Sequence, residues 1–149
     1  MAESIVDNIA RLARDLEKIG VSLRGVVLRV RGSCRWGELY TPPVTLSMED
    51  IDVEKIGKAI SYIVGIVSGP IFENIKLIEC TFDLALGEGA KRILDKMLEL
   101  DIANLGDAYV TIRRNTITVS KSPKDRDALS LIAAINSCIE AFRILLQLV

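Results

Sequence analysis

The last twenty-two residues, Ala128 to Val149, form one helix-length segment that is apolar on nearly every side. Asn136, Glu140, Arg143 and Gln147 make its polar stripe, at i, i+4, i+7 and i+11, with Ser130 and Ser137 nearby. A surface helix on a small domain carries an apolar face of about 100° and a broad polar face. Here the proportion is reversed. The segment therefore needs cover from its own domain on one flank, and the pattern predicts a second chain on another. A bilayer span is the competing reading, since twenty-two helical residues reach about 33 Å. Glu140 and Arg143 would then lie deep in hydrocarbon with no aromatic belt at the ends, which is costly. The segment is read as an assembly helix, with no membrane partner.

The rest of the composition narrows the function classes. A chain of 149 residues suits one α+β domain spanning 1–149, and it contains no internal repeat, low-complexity stretch or linker. With half its residues apolar the chain is not disordered. Lys and Arg number 19 against 20 Asp and Glu, so no global field draws the chain to nucleic acid or anionic membrane. Histidine is absent, which removes Ser-His-Asp and Cys-His chemistry, the usual near-neutral base, and every histidine metal ligand. Without a catalytic motif either, the chain is read as a non-enzyme that uses no cofactor and no metal. Cys34, Cys80 and Cys138 lie far apart and among apolar neighbours, and read as buried thiols. Their odd number, with no signal peptide, predicts a reducing, cytoplasmic setting. Nineteen isoleucines against one glutamine resemble the bias of thermophilic proteins.

Along the chain, Ile5, Ile9, Leu12, Leu16 and Ile19 make one apolar stripe, which predicts a helix from Ser4 to Ile19 with Ser4 and Asp7 as a capping box and Gly20 as its terminator. Alternation over Gly25 to Arg31 predicts a strand with Val26, Leu28 and Val30 inward, turning at Gly32-Ser33 and returning from Cys34 to Tyr40. Pro42-Pro43 should end that return strand. A second helix is predicted from about Asp52 to Ser68, capped by Ser47 or Asp50 and stopped at Gly69-Pro70. A strand over Ile75 to Leu84 follows, then a helix from Ala90 to about Leu100 with Ile93, Leu94, Met97 and Leu98 inward. Asn104 to Asp107 reads as a loop, and Ala108 to Arg113 with Thr116 to Lys121 as a hairpin about Arg114-Asn115. The expected fold is a mainly antiparallel sheet of about five strands with helices packed on it, in the order α-β-β-α-β-α-β-β-α.

Four local patterns could carry function. Gly57, Ser61, Gly65 and Gly69 recur every four residues on the second helix. Such a row lets another backbone approach closely, either the protein's own sheet or a partner helix. Arg24, Arg29, Arg31 and Arg35 gather on the first hairpin beside Trp36 and Tyr40, and Arg113 and Arg114 tip the second. Arginine next to aromatics on exposed strands can hold single-stranded nucleic acid; it can equally protect a sheet edge. Gly87-Glu88-Gly89 before Lys91 and Arg92 has the outline of an anion site, with a plain strand-to-helix turn as the alternative. Glu79 and Asp83 share a strand face roughly 13 Å apart, too far for a coupled acid pair, and read as a solvated face.

With the helix at Ala90 to Leu100 set aside, the predicted order is α-β-β-α-β-β-β-α, which resembles the Roadblock/LC7 family of small dimeric modules related to longin domains. The first helix ending at Gly20-Val21, the hairpin at Gly32-Ser33 and the long terminal helix carry the likeness. The additional helix departs from the family plan. The resemblance implies a homodimer in which the second helix, with Gly57, Ser61 and Gly65, and the middle strand, with Cys80 and Phe82, meet their mates; Phe142 of the terminal helix is counted with that interface. It also implies a non-catalytic scaffold or regulatory subunit, within a larger complex or a small-GTPase system. The alternative is a nucleic-acid-binding subunit that uses the arginine hairpins.

Overall fold

The computed structural model describes residues 2–34, 36–40, 43–47 and 53–149. Among these residues four helices and seven strands follow in order: α1 (Ala2–Lys18), β1 (Leu23–Cys34), β2 (Gly37–Tyr40), β3 (Val44–Ser47), α2 (Val53–Val67), β4 (Phe72–Leu84), α3 (Glu88–Leu100), β5 (Asn104–Leu105), β6 (Ala108–Arg113), β7 (Thr116–Lys121) and α4 (Ala128–Gln147). The strands form one antiparallel sheet in the order β2-β1-β4-β7-β6-β5, and β3 also pairs with β1. The α+β class stands, with seven strands in place of about five.

The two additional strands have local causes. β2 and β3 both lie along a single edge of β1, β2 opposite Arg31 to Cys34 and β3 opposite Gly25 to Leu28. Pro43 lies in the interruption between them, where its missing N–H breaks the ladder. β5 is a two-residue return from the tight turn at Gly106, whose φ of 62° suits glycine. Gly32-Ser33 is not a turn: β1 runs on to Cys34, and the hairpin closes with Cys34 opposite Gly37. Gly32 instead answers a close approach, because a Cβ there would stand 2.4 Å from the Phe72 ring and the Asn74 carbonyl.

Helix ends differ in the same small way. α1 begins at Ala2, so Ser4 lies inside the helix, where its Oγ accepts from Asn136 Nδ2 at 3.0 Å instead of capping. Gly20 ends α1 as expected, with φ 78° and the Val21 amide donating to Leu16 O. Ser47 belongs to β3, and Asp50 and Asp52 lie outside the described residues. Asp127 caps α4, its carboxylate accepting from Ser130 N at 2.9 Å.

Val26, Leu28 and Val30 of β1, Ile78, Cys80, Phe82 and Leu84 of β4, and Ile117 and Val119 of β7 point into one core, which the helices cover. Ile19 and Leu98, placed inward by periodicity, are instead exposed. α4 lies against β4, β6 and β7, α2 touches β3 and β4, and α1 packs on both of these helices. Nine side chains of α4 are buried, from Leu131 to Leu145. Its polar stripe turns toward α1: Asn136 accepts from Asn8 Nδ2 at 3.2 Å, and Arg143 donates to Asp15 at 2.9 Å and Glu140 at 3.1 Å. By length and composition α4 could cross a membrane, yet here it is the core helix of an α+β domain. Its own domain supplies the cover; Leu129, Ile144 and Leu148 remain exposed.

Candidate interaction surfaces

The opposite face of the sheet carries no helix among the described residues. Leu77, Glu79, Thr81 and Asp83 of β4 point there, all partly exposed. Across the strands run two rows, Val27-Thr81-Thr118-Thr111 and Arg29-Glu79-Ser120-Tyr109. The Thr81 and Thr118 hydroxyls are 3.0 Å apart. An antiparallel sheet with one wet face needs no partner to be stable, because alternation already gives it a polar side.

Two arginines on this face are matched within the chain. Arg24 holds Asp83 at 2.6 Å, and Asn115 Nδ2 donates to the second oxygen of that carboxylate at 2.8 Å. Glu38 accepts from Lys76 at 2.7 Å and from Arg31 at 3.0 Å. These bonds, Lys76 first, hold the Glu38 carboxyl below its ordinary range, while Glu38 raises Arg31. The Arg31 guanidinium also lies over the Tyr40 ring, 5.5 Å from its centroid. Arg29 stands opposite Glu79, and Arg113 opposite Thr116 at the hairpin end, where Arg114 takes the turn at φ 50°. Arg35 lies outside the described residues. Arg24 and Arg31 are seven residues apart on one strand, roughly 23 Å. The arginines are thus spread over the sheet, and two of them are neutralised, so they form no single basic cluster. Trp36 stands 82% exposed at the β1–β2 turn, and Tyr109 is 59% exposed.

On α2 the sheet-facing side is Ile56, Ile60, Ile63 and Val67, all buried. The small-residue row lies elsewhere: Ser61 and Gly65 are exposed and Gly57 half-buried. A Cβ added at Gly57 or Gly65 would meet nothing within 4 Å. Packing on the protein's own sheet is therefore excluded as the reason for this row. Tyr62, beside Ser61 on the helix, is 64% exposed.

Three residues assigned to an interface lie inside the molecule. Cys80 is 1% exposed, and Phe82 and Phe142 are 0% exposed, their ring centroids 4.8 Å apart in the core. Alternation on β4 made Cys80 and Phe82 inward-facing; only the likeness to dimeric modules set them at an interface, with Phe142 of α4 counted beside them. β4 is also an interior strand, bonded to β1 throughout and to β7 over Ile78 to Asp83. The Gly87-Glu88-Gly89 passage has a packing explanation as well, since a Cβ at Gly89 would stand 2.7 Å from Gly20 O. Among the described residues, no three His, Cys, Asp or Glu side chains gather as a metal site.

The fold defines a class: an α+β domain on an open antiparallel sheet, with helices over one face. Set against family models, curated proteins and solved structures, the chain has no match in any of the three.

Proposed function

We propose that this chain is a non-catalytic, cytoplasmic scaffold or regulatory subunit that assembles through the outer face of α2 with a second copy of itself. The observation that carries the reading is the row of exposed Ser61 and Gly65 with half-buried Gly57, whose glycines meet no neighbour among the described residues. Each glycine inside a helix costs about 1 kcal/mol against alanine. Nothing among the described residues uses the space these glycines leave. A second helix would use it, because small residues allow close axial approach and Tyr62 supplies an amphipathic aromatic beside the contact. A two-fold axis at Ser61 with antiparallel helices sets Gly57 of one copy against Gly65 of the other. Counting β2 and β3 as one interrupted strand, and omitting α3 and β5, gives the α-β-β-α-β-β-β-α order that resembles the Roadblock/LC7 modules. That likeness suggests a small GTPase as the class of protein to be regulated.

Light scattering on the wild type and Gly65→Leu tests the assembly. The expected result is a dimeric wild type and a folded, monomeric variant, since overpacking a fitted contact costs about 1–3 kcal/mol. A variant that keeps the wild-type mass contradicts the reading. Among the described residues, nucleic-acid binding would rest on Arg29, Arg113 and Arg114, with Trp36 and Tyr109 for stacking. Its signature is single-stranded RNA binding that weakens steeply with salt.

A further inference from the structure

Alternation on β7 sends Ile117 and Val119 into the core, and Lys121 follows them on the same face. The register agrees, since Lys121 stands opposite the buried Ile78. A charged residue thus ends an apolar inward row. Its side chain is 21% exposed, and its ammonium meets Asp107 at 3.3 Å, an aspartate that is itself 78% exposed. An ammonium has three N–H groups to satisfy, and so exposed a carboxylate offsets little of the cost of covering it. Along α4 the residues over this end of β7 are small. Ser130, Ala133, Ala134 and Ser137 stand there, where the second half of the helix has Phe142 and Leu145. They leave a cavity of about 370 Å³ that Lys121, Lys124 and Asp107 also line. Two lysines against one aspartate give that lining an excess of one positive charge.

We propose that this cavity binds a small organic monocarboxylate, its carboxylate on Lys121 and Lys124 and its apolar chain against Leu129, Ala133 and Ala134. The volume lies near the lower end of the range for ligand sites, about 300–1,000 Å³, and suits a chain of a few carbons. The single excess charge matches one carboxylate. Phosphate fits less well, because the N-terminus of α4 already holds the Asp127 carboxylate, 2.9 Å from Ser130 N, and the cavity wall is partly apolar. No residue of the α2 row takes part, so binding here and assembly through α2 are tested separately.

The test is an NMR titration of the isotope-labelled full chain with sodium hexanoate. Saturable amide shifts grouped on residues 121–124 and 129–137 are expected. Hexanol keeps the chain and loses the charge, and inorganic phosphate keeps the charge and loses the chain. Each should bind the wild type at least about tenfold more weakly than hexanoate, the worth of one charge-assisted hydrogen bond. Lys121→Met removes the cation, and Ser137→Leu fills the cavity while leaving both lysines. Each variant should weaken hexanoate by about tenfold or more. Shifts that do not saturate, shifts centred elsewhere, hexanol or phosphate binding as tightly as hexanoate, or unchanged hexanoate binding in folded Lys121→Met would overturn the proposal.

Discussion

α4 and α2 share one helical layer but use their apolar character in opposite ways. α4 is greasy on most sides because it has neighbours on most sides: the sheet beneath it, and α1 along its polar stripe through Asn8, Asp15 and Ser4. α2 is greasy on one side, where Ile56, Ile60, Ile63 and Val67 are buried, and shows small residues on another. The difference teaches that total hydrophobicity reports how central an element is in its own domain. Residue size on an open face is a separate signal, and on α2 it marks the surface proposed for assembly.

Truncation of core against surface aromatics is the strongest way to break this comparison. Phe142→Ala on α4 should lower the unfolding free energy by about 3–5 kcal/mol in urea melts. Tyr62→Ala on α2 should change that of the monomer by less than about 0.5 kcal/mol. Equal effects would mean that the two faces are not differently used. The glycines sharpen the contrast, because their substitutions have opposite signs. Gly32→Ala drives a Cβ into Phe72 and should destabilise by about 1–3 kcal/mol. Gly57→Ala meets open space in a helix and should stabilise the monomer by up to about 1 kcal/mol.

The smallest effect belongs to the bare sheet face. Glu38 has its folded pKa lowered from the ordinary 4.5 by Lys76 and Arg31. The sign is then fixed: the pair stabilises the fold above the unfolded value, and the contribution disappears as pH falls through the lowered folded value. Glu38 and its partners are well exposed, so the effect is modest. Thermal melts of the wild type and Glu38→Gln should differ slightly at pH 7 and converge in acid. A gap that widens in acid would contradict the assignment.

Much of this architecture was legible in residue order. Period-two alternation placed Ile78, Cys80, Phe82 and Leu84 on the covered face, and the helical stripe placed Ile5, Ile9, Leu12 and Leu16 in the core. Gly20 announced the end of α1 because its positive φ is a local requirement. What escaped was non-local. Gly32 looks like a turn residue until the Phe72 ring across the strands is known. The polar stripe of α4 looks like a wet face until Asp15 and Asn8 arrive from α1. The arginines of β1 look like one basic patch until Asp83 and Glu38 pair with two of them. For the α2 row the spacing was readable, but whether it met the sheet or solvent depended on how the helix is rotated.

Cross-linking at Ser61 tests the central claim most directly, since a two-fold contact along α2 places Ser61 of one copy beside its mate. In a Cys34→Ser background, Ser61→Cys should be captured as a covalent dimer under mild oxidation at micromolar concentration. Lys91→Cys on the exposed face of α3 should remain monomeric. A Ser61→Cys chain that stays monomeric, or one that cross-links no faster than Lys91→Cys, would contradict the account.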